Sequence, residues 1–394
     1  MSGAETARDR LDRVLRELGS DADVRSREET MFESLARGAT RAVIFGAGPL
    51  GRIVLNAARA SRVDVVAFAD NNRALQGKSV EAVPVLSPAD AVAAHRDTAY
   101  FVIGVYNSSG PRRQLRDLGC DRIVPYPAFY WRYAATFPWA PGLELPRRIV
   151  ARRDEIRAGY DCLNDDKSRA EFSAQIAWRC TLDYERLPRP DDPAAIYFPR
   201  DLVPVSGDEV FVDCGAFDGD SIRLFLERSG GRYRRIYACE PDASNRDALQ
   251  RSLAVLPEGE RERITILPYA VGDRSGPVSF QSSGTAGSRI SDAGAGMMEC
   301  RRLDDLMKDI TPTLVKMDIE GSEPAAIAGA RETIRRSRPT LAVCTYHECE
   351  HLWTLPALIK SALPDYRISL RRYAEECWEM VCYAVPPERA IAPR

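Results

Sequence analysis

Two apolar runs that each end in a glycine turn constrain this chain more than any other feature. The first, "VIFGAGPLG", covers residues 43–51, and the second, "EVFVDCGAFDGDSI", covers 209–222. Each run is long enough for one buried strand. Glycine then lets the backbone turn sharply and approach a ligand with no Cβ in the way. Parallel sheets hold their ligands beyond the carboxyl ends of the strands. Two such turns in a chain of 394 residues predict two α/β domains, each with its own crevice.

Around the first turn, "RAVIFGAGPLGRIVLNAARAS" reads as strand, turn and helix, with further strands at "VDVVAFADNN" and "AYFVIGVYN". That alternation predicts a Rossmann-like parallel sheet. Leu11, Val14, Leu15 and Leu18 give an amphipathic leader helix before it. Gly46, Gly48 and Gly51 form G-x-G-x-x-G, and Asp70 ends the next strand, 24 residues after Gly46. Together these make a dinucleotide-type fingerprint. The stretch "VVAFADNNRALQGKSVEAVPVLSPAD" also resembles the small N-terminal domains of sugar acyltransferases, which bind nucleotide-sugars in a similar turn. A nucleotide or nucleotide-sugar is therefore expected here; the alternative is a fold kept for assembly or for presenting a substrate. Hydride-transfer groups are not evident, since the domain's single histidine, His95, falls in a helix that reads as exposed.

Residues 1–142 are expected to form this domain, closing in the aromatic stretch "YPAFYWRYAATFPWAPG". Two charged amphipathic helices and a five-proline break make 143–205 a helical linker. Residues 206–394 form the second domain, with strands expected at 209–214, 235–240, 263–271, 313–318, 339–346, 365–370 and 378–384. Helical patterns separate the first five strands, so they should run parallel. The last two are joined by a short connection and suit an antiparallel hairpin.

The second turn differs from the first in charge. It reads D-C-G-A-F-D-G-D, with carboxylates at Asp213, Asp218 and Asp220. A pyrophosphate favours a bare glycine turn at a helix N-terminus; this one repels phosphate and favours a sulfonium or an ammonium. Glu240 ends the following strand, 27 residues after Asp213, where it can take both hydroxyls of a ribose. S-adenosylmethionine combines these features and carries no phosphate.

The segments "EVFVDCGAFDGDSI", "IYACEPDASN", "LPYAVGD", "RRLDDL", "TLVKMDIEGSEPAAIAGA" and "LAVCTYHECEHLW" resemble the FkbM-type S-adenosylmethionine-dependent methyltransferases. The likeness runs from about Tyr197 to Ala384, and "VKMDIEGSE" after "RLDDL" is its most specific part. It implies a class I methyltransferase sheet in which Asp213, Gly215 and Gly219 hold the methionine end of the cofactor, Glu240 the ribose, and Ala270 and Val271 the adenine edge. Asp318 would help to position the cofactor amine. The loop "SSGTAGSRIS" would close over the pocket, with Ser288 and Arg289 facing ligand or substrate. The implied reaction is O-methylation of a small-molecule acceptor, commonly a sugar or natural-product hydroxyl.

An alcohol that attacks a methyl group must lose its proton, so a base is sought near the crevice. His347 follows the fifth strand in "CTYHECEHLW" and is the expected base; His351, one helical turn on, is less well placed. A histidine there could instead cap a helix or bond backbone. Asp318 with Glu320 could bind a hard divalent cation, though such acids more often hold amides or form ion pairs, and no metal is expected.

With a formal net charge of −2, no overall field recruits nucleic acid or a membrane surface. The N-terminus lacks a signal-type apolar core, and no apolar run reaches the roughly 18–20 residues that span a bilayer. Ten cysteines, several inside strands and none in a CxxC pair, read as reduced core residues of a cytoplasmic protein. Two other functions fit less well: a nucleotide-sensing or scaffold protein that binds cofactor without turnover, and an NAD-dependent oxidoreductase using the first turn.

Overall fold

The computed structural model describes residues 7–137, 140, 142–281, 289–290 and 296–391. They form two compact units: 1–154 with 170–189 and 374–378, and 155–169 with 190–373 and 379–394. Residues 143–205, expected as one linker, are thus shared between the units.

The first unit holds six strands: β1 (Arg41–Phe45), β2 (Asp64–Ala69), β3 (Ser79–Val80), β4 (Val83–Leu86), β5 (Ala99–Ile103) and β6 (Ile123–Val124). Their order is β3-β4-β2-β1-β5-β6, parallel except for the β3–β4 pair. Central strands covered on both faces need continuous apolar sequence; β5 is buried throughout and β1 from Ala42 onward. The leader helix Ala7–Glu17 buries Leu11, Val14 and Leu15, and the next helix, Asp21–Ala36, starts from a Ser20–Asp23 capping box.

The chain leaves β1 toward β2 on one side and returns to β5 on the other, which puts the glycine turn at the reversal of strand order. Gly46 has φ +102°, and a Cβ on Gly51 would lie 1.8 Å from the Gly46 carbonyl oxygen. The turn packs on itself at these two positions. Gly48 has open space around it and caps the helix Pro49–Ala60.

The second unit is built on seven strands: β7 (Val210–Cys214), β8 (Arg235–Cys239), β9 (Ile264–Leu267), β14 (Leu314–Met317), β15 (Thr340–Cys344), β16 (Arg367–Arg372) and β17 (Met380–Val385). Between β9 and β14, β10 (Ala270–Val271), β11 (Gly276–Gln281), β12 (Arg289–Ile290) and β13 (Gly296–Arg301) make a separate small sheet. The main order is β16-β17-β15-β14-β7-β8-β9, with five parallel strands and β17 antiparallel to both β15 and β16. The expected hairpin is present. The expected strand 263–271 is in fact two, because the chain leaves the main sheet after Leu267 and Ala270 pairs with β13 instead.

Of the ten cysteines, all but Cys162 are buried. Among the described residues, no helix is long and apolar enough to cross a membrane. The different demands on the glycines of the first turn can be measured. Gly51→Ala should lower stability by about 1–3 kcal/mol through overpacking. Gly48→Ser, which adds a capping hydroxyl in open space, should change it by less than about 0.5 kcal/mol. Urea unfolding followed by fluorescence distinguishes the two.

Candidate active site

In the second unit, strands β7, β8 and β14 deliver their last residues to one cleft. Tyr197, Gly215, Phe217, Glu240, Lys316 and Asp318 line it together with Tyr269, Ala270 and Val271. Gly215 and Gly219 turn the chain after β7 at φ +86° and +87°. A Cβ on Gly215 would lie 2.0 Å from the Asp318 carbonyl oxygen, so only glycine lets the β7 and β14 loops meet this closely.

Asp213 does not reach the cleft. It is wholly buried and faces Lys316, its register neighbour on β14, with Nζ 3.0 Å from Oδ1. Ser221 donates to its other oxygen. Lys316 also donates to the Gly215 carbonyl at 2.6 Å. Burial opposes the ammonium charge, but Asp213 and then Asp318 hold it protonated. The expectation that Asp213 touches the cofactor is corrected accordingly: Asp213 anchors Lys316, and Lys316 is the residue that lines the cleft.

Glu240 lies where the sequence placed it, at the end of β8, and it also shapes the turn. Its carboxylate accepts the Phe217 N–H and the Asp242 N–H, both at 2.9 Å. Burial raises its pKa, while these bonds favour the charged form. Ala270 and Val271 line the cleft as expected; Gly219 lies behind it as the N-cap of the helix Asp220–Ser229. Ser288 lies outside the described residues, as does most of the loop expected to close over the pocket. In the first unit, Asp70 does the same work as Glu240. Its Oδ2 accepts the Ala47 N–H at 2.8 Å and its Oδ1 the Asn72 N–H at 2.7 Å.

His347 occupies a different place from the one its position suggested. It is 2 % exposed and sits among acids rather than on the cleft wall. Nδ1 lies 2.8 Å from Glu323 and Nε2 3.1 Å from Asp318, with Glu320 at 3.8 Å. Burial disfavours its charge, yet Glu323, Glu320 and the bond to Asp318 outweigh that and raise its pKa well above the ordinary value. An imidazole held protonated, with a carboxylate at each nitrogen, is no proton acceptor. The expectation of His347 as the base is corrected on that ground. Asp318, Glu323 and His347 lie within metal-sharing distance of one another, but here the imidazolium neutralises the acids. His351, 3.4 Å from Glu323, has its pKa lowered to about 4, chiefly by burial.

Three residues that the sequence did not mark complete the wall. Tyr197 donates to Asp318 at 2.6 Å, Tyr346 lies 3.4 Å from the same carboxylate, and Glu379 precedes β17. Burial, then Asp318, push Glu379 up to about 7. Tyr197, Phe217, Glu320 and Glu379 all have positive φ, at 66°, 46°, 55° and 51°. Lys316 did carry a readable signal, as the one charge in the apolar strand "LVKM".

Residues 213–366 match the model of the methyltransferase FkbM domain family. The chain is 25% identical over 155 residues to the 2-O-methyltransferase NoeI of Sinorhizobium fredii (strain NBRC 101917 / NGR234). That match covers 33% of this chain and 61% of the relative's length. The crystal structure of methyltransferase FkbM from Methylobacillus flagellatus KT has the same fold, with TM-score 0.74 at 24% identity, covering 96% of this chain and 99% of that one. The chain carries an FkbM methyltransferase domain.

The charge network around His347 has a pH signature. A histidine whose folded pKa is raised contributes stability that is complete below its unfolded value and lost as pH rises through the folded value. Burial raises Asp318 and Glu323, but His347 holds both low, with help from Lys316 at Asp318 and from His351 at Glu323, so they contribute stability that is lost as pH falls through their folded values. His347→Gln should therefore cost most between about pH 5 and 6.5, on the order of 3 kcal/mol for a broken buried pair. The gap to wild type should narrow on going to pH 9. Urea midpoints measured across that range test this.

Proposed function

We propose that the chain transfers the methyl group of S-adenosylmethionine to a hydroxyl oxygen of a small molecule, a sugar or a natural product. The observation that carries this reading is the charge of the cleft. Asp220, Glu240, Asp318, Glu320 and Glu379 line it, against Lys316. Such a wall attracts a sulfonium and an ammonium and repels the pyrophosphate of a nicotinamide dinucleotide. The similarity of residues 213–366 to a methyltransferase family supports it from the sequence side. Support for oxygen as the acceptor atom comes from the relative described as a 2-O-methyltransferase.

In this reading the ribose lies against Glu240 and the adenine beside Tyr269, Ala270 and Val271. The amino-acid end approaches the turn at Gly215 and Phe217, near Asp318. The cofactor supplies an activated methyl group, and the residues around it hold acceptor and donor in line. Such alignment can lower the barrier by several kcal/mol, up to about 7–11 in well-oriented systems.

Glu240→Gln should weaken S-adenosylmethionine and S-adenosylhomocysteine by about tenfold or more, the equivalent of roughly 1.4 kcal/mol. The loss should be similar for both ligands, because they share the ribose. Titration calorimetry measures it. Binding of NAD in competition with S-adenosylhomocysteine would count against the assignment.

A further inference from the structure

Strand β17 runs antiparallel to β15, with Val381 opposite Cys344. The residues just before β17 therefore lie at the edge where the parallel strands end, which is where the cleft opens. Glu379 is there, lining the cleft with Lys316, Asp318, Asp220 and Tyr197. Its carbonyl accepts the Tyr373 N–H at 3.0 Å, which pins the turn in its left-handed conformation. Of the other cleft carboxylates, Asp220, Glu240 and Asp318 each take hydrogen bonds from neighbours, and Glu320 faces His347 at 3.8 Å. Among the described residues, the Glu379 carboxylate has no hydrogen-bond or ion-pair partner. It is the cleft carboxylate left available for a ligand's proton.

We propose that Glu379 is the catalytic base, accepting the proton of the acceptor hydroxyl as that oxygen is methylated. The inference rests on the methyl-transfer reading above. In the step, the acceptor oxygen bonds to the methyl carbon while the carbon–sulfur bond breaks and leaves its electron pair on sulfur. The hydroxyl proton passes to a Glu379 carboxylate oxygen. Sulfonium becomes neutral thioether and carboxylate becomes carboxylic acid, so charge balances, and the acid then returns its proton to water.

The groups facing Glu379 tune it for this. Asp318 and Asp220 disfavour its ionisation, Lys316 and His347 favour it, and Tyr197, Tyr346 and Cys344 border it as neutral groups. With burial added, the carboxyl titrates at about 7. A base with that pKa is ionised in a large fraction of molecules at neutral pH and still binds a proton well.

The test compares the full-length wild type with Glu379→Gln and Glu379→Asp. Calorimetry measures S-adenosylmethionine and S-adenosylhomocysteine. Labelled methyl transfer from S-adenosylmethionine to a panel of methyl pyranosides with free hydroxyls is followed from pH 5.5 to 9. Glu379→Gln should bind S-adenosylhomocysteine within about threefold of wild type and lose about 10²–10⁴ in transfer rate. The wild-type rate should rise through an inflection near 7 and level off; the glutamine variant should lack that inflection, and Glu379→Asp should regain part of the rate with it. A Glu379→Gln rate within about threefold of wild type, or an unchanged inflection, overturns the assignment of the base and leaves methyl transfer standing. Wild type that fails to bind S-adenosylmethionine, or that methylates none of the sugars, overturns the underlying reading instead.

Discussion

The active-site half of the molecule depends on one buried ion pair. Lys316 and Asp213 are register neighbours on adjacent parallel strands, with Asp213 fully buried and Lys316 nearly so at the floor of the cleft. Desolvating two charges is expensive, and a pair of apolar residues could fill the same space at similar stability. What the ions add is address. A slip of one residue between β7 and β14 would turn one partner to the opposite face and strand the other. The same ammonium holds the Gly215 carbonyl, so the pairing that fixes strand register also fixes the turn from which the cleft is built.

Around that fixed point the cleft is lined by backbone held away from its preferred conformations. Tyr197, Phe217, Glu320 and Glu379 all adopt left-handed φ without being glycine. Each such residue costs on the order of 1–3 kcal/mol and persists only where neighbours over-determine it. Those neighbours are visible. The Tyr197 hydroxyl is tied to Asp318 and its N–H to the Tyr383 hydroxyl, Phe217 N–H is tied to Glu240, and the Glu379 carbonyl to Tyr373. Strain gathered in this way points side chains into the cleft that ordinary strand geometry would turn along the sheet.

Much of this was legible in the sequence, and the parts that were not share a cause. Strand runs and glycine turns are local signals, and they place Gly215, Glu240 and Asp318 just beyond strand ends and Gly219 at the start of the next helix. His347 was also placed correctly beyond β15; its role was not legible, because its partners Glu323 and Asp318 come from another loop. Asp213 reads as a ligand contact until Lys316 is seen beside it. Glu379 is hidden by a boundary: a strand expected from 378 puts it inside β17, whereas the strand starts at Met380 and leaves Glu379 at the cleft. The small sheet went unseen although β11 and β13 have six residues each, because the strands that flank them, β10 and β12, are short. In particular, β10 has two residues, too few to show a period.

The chain passes between its two units five times, at 154/155, 169/170, 189/190, 373/374 and 378/379. No single cut therefore separates the two units, since the C-terminal half supplies residues 374–378 to the first unit and the middle supplies 155–169 to the second. A protein of this kind is a poor subject for domain shuffling. One recombination point anywhere along it breaks up at least one of the units, so the two are inherited, and must diverge, together.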